Sequence, residues 1–145
     1  MSDLSQAETH DLRALVHHMI PASADYNVPG ADDDLIFADI LASFERDLPQ
    51  VHVALADLAK RAGGNFADLP PDRQSELIAD FRAHAGVPLT LLHRVVLLCY
   101  YRDDRVMRSL GLEPRPPFPL GHKVEQGDWS LLDPVRTRAP FWRQV

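Results

Sequence analysis

The chain has 145 residues and a net charge of −6, and its hydrophobic and charged contents, 46% and 25%, are those of an ordinary globular protein. The negative charge argues against nucleic acid as a partner, because phosphate backbones attract basic surfaces. Cys99 is the only cysteine, which excludes an intramolecular disulfide framework and any multi-cysteine metal or cluster site. The acidic excess belongs to the first third, since residues 1–47 carry ten acidic and two basic side chains.

Apolar spacing predicts a first helix with a signal at each end. Ser5 and Glu8 have the spacing of a capping box, and apolar residues then recur at intervals of three and four until Pro21. After a loop with turn-forming residues, the consecutive acids at 32–34 suit the positive end of a second helix. The inward residues predicted for this helix are Phe37, Ile40, Leu41, Phe44 and Leu48.

Prolines open the next two predicted helices. A third helix runs from Pro49 to about Ala62 and ends at the glycine pair 63–64. A fourth begins at the proline pair 70–71 and stops at Gly86. The inward residues predicted for the fourth helix are Leu77, Ile78 and Phe81.

The stretch from Pro88 to Gly111 is the element around which the other helices are predicted to pack. Its middle is apolar on every side, and such a helix is buried. The apolar run is too short and too interrupted by polar residues to span a membrane. We therefore predict an all-α bundle of about five helices in residues 1–111, arranged around a buried central helix at 88–110. If Leu97 or Leu98 of this central helix is fully packed, its replacement by alanine should cost about 2–5 kcal/mol.

Residues 112–145 form a tail without helical periodicity. The tail holds six of the twelve prolines and both tryptophans. Proline-rich chain favours an extended conformation, whereas disordered tails are usually poor in aromatic residues. Two interpretations stay open: the tail packs back on its own bundle, or part of it lies on another protein. The anchors predicted for the second case are Phe118, Trp129, Phe141 and Trp142.

The histidines and carboxylates form no recognised catalytic or metal-binding motif. His10 and His17 share a face of the first helix, but the sequence has no His-Glu-x-x-His, no Cys-x-x-Cys and no His pair four residues apart. Asp103 and Asp104 are adjacent, so on a helix they diverge and are better interpreted as solvated or ion-paired. His93 is interpreted as a hydrogen-bonded core residue. No glycine pattern suits a phosphate, so we predict no catalytic, cofactor-binding or metal-ligating residue in this chain.

Six short blocks of sequence together resemble one protein family. The blocks are Ile20-Pro21, residues 29–31, Phe66-x-x-Leu69, residues 100–111, residues 116–119 and residues 128–135. The most distinctive is YYRDDRVMRSLG at 100–111. With these blocks, which are spread over residues 20–135, the chain resembles the small subunit, subunit three, of the gluconate 2-dehydrogenase family.

This resemblance implies a non-catalytic partner of a large flavin-dependent dehydrogenase of the glucose–methanol–choline type. The large subunit would hold FAD and oxidise a sugar, a sugar acid or another alcohol, while the small subunit supports its folding, stability or export. In some of these systems a cytochrome subunit takes the electrons. No cofactor and no membrane insertion are expected for this chain.

The start of the sequence bears on location. Many members of the family begin with a twin-arginine export signal, whereas residues 1–12 are polar and lack a basic and an apolar segment. A cytoplasmic complex is therefore expected, and a periplasmic one stays open if a signal was removed or is carried by the partner. The alternative function is a stand-alone small-molecule-binding protein or enzyme with a helical pocket near His93, Cys99 and Tyr100.

Overall fold

The computed structural model describes residues 4–84 and 86–139 and divides the chain into two compact units. The first unit ends at Pro114 and the second, the tail unit, begins at Arg115, three residues beyond the predicted boundary. The described residues form helices and no strand, which confirms the predicted all-α fold. One isolated antiparallel bridge, between Ser23 and Val28, closes a loop.

Six α-helices build the first unit. They are α1 (Gln6–Met19), α2 (Asp34–Ala42), α3 (Leu48–Ala62), α4 (Pro71–His84), α5 (Gly86–Arg102) and α6 (Asp104–Ser109), with a 3-10 turn at Phe66–Asp68. The tail unit holds a 3-10 turn at Trp129–Leu132 and a short α7 (Asp133–Arg136). Over the described residues no single helix is long and apolar enough to cross a membrane, and only α4 and α5 taken together pass by length and composition.

The N-terminal capping signals read from the sequence are confirmed. The Ser5 hydroxyl accepts a hydrogen bond from the Glu8 amide at 3.2 Å, and the Glu8 carboxylate accepts one from the Ser5 amide at 2.9 Å. The second carboxylate oxygen of Glu8 lies 2.6 Å from the His52 ring nitrogen, so the same residue ties α1 to α3. Asp33 caps α2 by accepting from two backbone amides.

The core of the first unit gathers side chains from all six α-helices and from the 3-10 turn. Its largest fully buried side chains are Phe44, Phe66 and Phe81. Phe37 and Ile40 of α2 are buried as predicted, while the predicted inward residues Leu41, Leu48, Leu77 and Ile78 are partly buried and pack against the core. The helix α2 ends at Ala42, so Phe44 reaches the core from the following connection.

The predicted continuous helix at 88–110 is two helices. Asp103 has extended backbone geometry, with φ −67° and ψ 131°, and its carboxylate accepts hydrogen bonds from two backbone amides of α6. It therefore acts as an N-cap that ends α5 and begins α6. The start is also earlier than predicted, at Gly86, whose φ of 57° suits glycine.

Burial of α5 is one-sided, so the prediction of a buried central helix is wrong for the side that carries Leu97 and Leu98. The buried residues of α5 are Leu89, Leu92, Val95, Val96, Cys99 and Tyr100. Leu97 and Leu98 keep 45% and 60% of their surface exposed, and Tyr101 is exposed beside them. The helix is apolar all round in sequence, yet its unit supplies packing partners for one side.

The loop between α1 and α2 is held against the end of α1 and against α5. The Ala31 amide donates to the Ile20 carbonyl at 2.9 Å, and the Tyr100 hydroxyl donates to the Pro29 carbonyl at 3.1 Å. At Gly30 an added Cβ would lie 2.9 Å from the backbone nitrogen of Ala22, too close for any other residue without rearrangement. Glycine is thus required here by close backbone approach.

Candidate functional site

Arg105 joins the two capping aspartates. Its guanidinium donates to Asp33 at 2.7 and 3.1 Å and to Asp103 at 2.9 and 3.0 Å, so one cation bridges the start of α2 and the start of α6. The hydrogen bond from Arg105 is the main reason why the pKa of Asp33 and that of Asp103 lie below their ordinary value. Asp104 pairs with Arg108 at 2.9 Å, which confirms that the adjacent carboxylates are ion-paired rather than a matched acid–base couple.

A second polar cluster surrounds the cysteine. Arg102 donates to the Asp39 carboxylate at 2.6 Å and to the Ser43 hydroxyl at 2.9 Å, and the Cys99 thiol lies 3.5 Å from the same hydroxyl. Burial raises the pKa of Cys99, so its sulfur is a protonated thiol at neutral pH. The cluster joins α2 to α5 and offers no activated nucleophile.

We expect Arg105→Met to reduce the loss of unfolding free energy that the protein shows when the pH is lowered. Because Arg105 depresses the carboxylate pKa values, its pairs stabilise the folded state above the ordinary Asp pKa of 3.8, and this stability is lost as the pH falls below 3.8. At pH 7 the variant should lose about 1 kcal/mol of unfolding free energy, a small value because the pairs lie partly in solvent.

Urea unfolding at pH 6 and pH 3 measures this effect. The stability lost between the two pH values should be smaller in Arg105→Met than in the wild type. Arg108→Met, which removes an ion pair exposed on both sides, is the control and should keep the wild-type difference. An equal difference in Arg105→Met and wild type would contradict the assignment.

A cavity of about 280 Å³ lies between α1, α4 and α5. Its apolar lining consists of Leu15, Met19, Ile20, Ile78, Phe81, Leu89, Val96 and Leu97. Three polar side chains, His18, Arg82 and His93, complete the wall. A small concave space with a mainly apolar lining and a few convergent polar groups is typical of a ligand site.

The polar groups of the cavity differ in their partners. His18 Nε2 lies 2.9 Å from the Gln74 side-chain oxygen, whereas the half-buried His93 ring forms no hydrogen bond within the described part of the chain. The interpretation of His93 as a hydrogen-bonded core residue is therefore wrong. Burial, and then repulsion by the Arg82 guanidinium, lowers the pKa of His93, so its ring is neutral at pH 7.

The alternative function places a pocket near His93, Cys99 and Tyr100, but of these three residues only His93 lines the cavity. Tyr100 is buried, and its hydroxyl is used in holding the Pro29 carbonyl. Cys99 is buried against Ser43. Burial raises the pKa of Tyr100, so the hydroxyl stays protonated and serves as a donor. His93 therefore lines the cavity, whereas Tyr100 and Cys99 are packed in the core.

The two histidines of α1 that share a face in the sequence, His10 and His17, have different surroundings. His17 Nδ1 lies 3.0 Å from the Asp32 carboxylate, and His10 is exposed. Across residues 4–84 and 86–139, no three His, Cys, Asp or Glu side chains are placed to hold a metal ion together.

The tail unit leaves its apolar side chains uncovered by its own residues. Phe118 is 87% exposed and Trp129 is 62% exposed. Asp128 begins the 3-10 turn by accepting from the Ser130 amide at 3.0 Å, so the tail has local order around Trp129. The other two predicted anchors, Phe141 and Trp142, lie outside the described residues.

Comparison with protein families, curated proteins and solved structures finds no match to the chain. The family resemblance therefore rests on the sequence blocks alone. Two cavity residues, His18 and Arg82, were not identified from the sequence. Each is a polar residue beside apolar ones on an amphipathic helix, a pattern that does not distinguish a cavity residue from a solvated one.

Proposed function

We propose that the chain is the non-catalytic small subunit of an FAD-dependent dehydrogenase complex of the glucose–methanol–choline type. In this proposal it supports the folding, stability or maturation of the large subunit, which holds FAD and oxidises a sugar or another alcohol. The observation that carries the proposal is the set of large apolar side chains that the tail unit does not bury. The sequence blocks shared with the small-subunit family supply the class of partner.

The tail combines a stiffened backbone with large contact surfaces. Proline fixes φ in advance, which lowers the conformational entropy lost when an extended segment binds. Phe118 and Trp129 offer large exposed apolar areas with few rotatable bonds. Both residue types are enriched at protein interfaces, and tryptophan is enriched among binding hot spots. Leu120, Val124, Leu131 and Val135 are also exposed. Contact with another surface would remove these apolar side chains from water and so stabilise the bound segment.

The first unit presents a second uncovered apolar surface on α5. Leu97, Leu98 and Tyr101 are exposed there. Ion pairs border this surface, one between Arg94 and Asp47 at 3.0 Å and one between Arg102 and Asp39. An apolar patch with a polar rim is a common arrangement at protein interfaces.

Charge would contribute to the choice of partner. Residues 1–47 have eight more acidic than basic side chains. Several of these acids are exposed, so they create a negative potential that attracts a basic surface and speeds association at low salt. This attraction would weaken as salt is added.

The cavity beside His93 favours the second candidate, a stand-alone small-molecule-binding protein. The two functions differ in what accompanies the chain in cells. A subunit is isolated together with a larger flavoprotein, whereas a stand-alone binder is isolated by itself.

Purification of the tagged full-length chain at native expression tests the proposal. We expect a larger protein to elute with it, to show a flavin absorbance spectrum and to release FAD on denaturation. The complex should oxidise an alcohol or sugar substrate with an artificial electron acceptor, and the chain alone should not. Elution of the chain alone, or FAD bound to the chain itself, would contradict the proposed function.

A further inference from the structure

The exposed Arg82 side chain brings a positive charge to the wall of the cavity between α1, α4 and α5. Among the described residues, the Arg82 guanidinium has no hydrogen-bond or ion-pair partner. Other arginines nearby are paired, Arg61 with Asp57 at 2.9 Å and Arg73 with Glu76. None of the described residues that line the cavity is acidic. The positive charge at its wall is therefore available to a ligand.

The remaining wall is suited to hydrocarbon. Phe81 is fully buried, Leu89 and Val96 are nearly so, and Leu97 is half-exposed at the same cavity. His93 is neutral at pH 7 and unpaired among the described residues, so its ring can donate or accept one hydrogen bond. One cation and one neutral hydrogen-bonding ring facing apolar walls match a ligand with an anionic end and an apolar body.

The volume limits the size of that ligand. A buried apolar cavity of about 150 Å³ binds benzene, which has six carbon atoms. At about 280 Å³ this cavity is nearly twice as large, and it lies just below the usual range of small-molecule sites. A ligand of about ten non-hydrogen atoms fits by this comparison.

We propose that this cavity binds a small amphiphilic monocarboxylate, with the carboxylate at Arg82 and the hydrocarbon body against Phe81 and Leu89. Arginine recognises carboxylates through paired hydrogen bonds, which gives the polar end a defined position. This site does not depend on the proposed partner, because all its walls belong to the first unit.

Calorimetric titration of the full-length chain with octanoate and with 1-octanol tests the site. The two probes share a hydrocarbon chain and differ in charge. We expect saturable binding of one octanoate per chain, about tenfold tighter than 1-octanol, because a charge-assisted hydrogen bond to Arg82 is lost in the alcohol. Absence of saturable octanoate binding at millimolar concentration would overturn the proposal.

Two variants and a control locate the ligand. Arg82→Gln should reduce octanoate affinity to the level of 1-octanol, whereas Arg73→Gln, on the same helix but paired with Glu76, should leave it unchanged. Leu97→Trp should weaken binding of both probes, because a larger side chain at this position of the wall takes up part of the cavity. Since Leu97 is 45% exposed, the substitution should not disrupt the core. Thermal melts by circular dichroism confirm that each variant is folded. Equal affinity for the two probes in wild type, or unchanged octanoate binding in Arg82→Gln or Leu97→Trp, would overturn the assignment.

Discussion

Replacing Leu92 by alanine should destabilise the protein by about 2–5 kcal/mol, whereas Leu98→Ala in the same helix should change stability by less than about 0.5 kcal/mol. Leu92 has 0% of its surface exposed and Leu98 has 60%. Truncating Leu92 removes buried methyl groups and leaves a cavity, since the surrounding helices relax only in part. Truncating Leu98 removes atoms that already contact water.

Urea denaturation of both full-length variants at pH 7 measures the difference. The dependence of unfolding free energy on urea should stay near the wild-type value in each, so that a shifted midpoint reports stability. Because small domains are stable by only about 5–15 kcal/mol, the loss in Leu92→Ala is a large fraction of the total. Similar losses in the two variants would show that α5 is buried on both sides, contrary to the structure.

Features determined by neighbouring residues could be predicted from the sequence. The capping box at Ser5 depends on contacts with a residue three positions away, so spacing alone identifies it. The acids at 32–34 likewise indicate the start of α2, although only the structure shows that Asp33 is its N-cap. The starts of α3 and α4 follow from prolines for the same reason. The all-α fold follows from adding these local signals.

The break at Asp103 could not be predicted by the same means. Its capping chemistry is visible in the sequence, but an aspartate inside a helix costs only about 0.7 kcal/mol relative to alanine, which neighbouring residues can offset. The break is favoured by Arg105, which holds the Asp103 carboxylate while reaching Asp33 at the start of α2. A contact between residues 72 positions apart has no signature in a local pattern.

The buried side of α5 and the position of the cavity also could not be predicted from the sequence. A helix that is apolar on every side gives no indication of which side faces the core, so Leu97 and Leu98 were indistinguishable from Leu92. The cavity forms where α1, α4 and α5 fail to fill the space between them. The size of such a gap depends on how side chains from helices far apart in sequence fit together where the helices cross.

Replacing both Phe118 and Trp129 by serine should lower the amount of flavoprotein retained by the chain at least about tenfold, because truncating hot-spot aromatics commonly removes 2 kcal/mol or more of binding free energy. Phe118 and Trp129 are 87% and 62% exposed, so the substitutions remove little packing within the tail unit. Wild-type thermal stability is therefore expected in the isolated double variant.

A second double variant controls for general loss of apolar surface. Tyr26 and Leu35 are 76% and 70% exposed in the first unit, which makes them comparable in exposure to the tail pair. Tyr26→Ser with Leu35→Ser should retain the flavoprotein as wild type does. A loss equal to that of the tail variant would assign the effect to overall surface hydrophobicity rather than to the tail.

The molar ratio of FAD to tagged chain after affinity purification is the most direct measure of the proposed subunit role. We expect a fixed, reproducible ratio for the wild type and for the Tyr26 and Leu35 control. We expect a ratio near zero for the variant lacking Phe118 and Trp129. A wild-type preparation that contains no FAD, or a tail variant that keeps the wild-type ratio, would contradict the claim that this chain joins a flavoprotein through its tail.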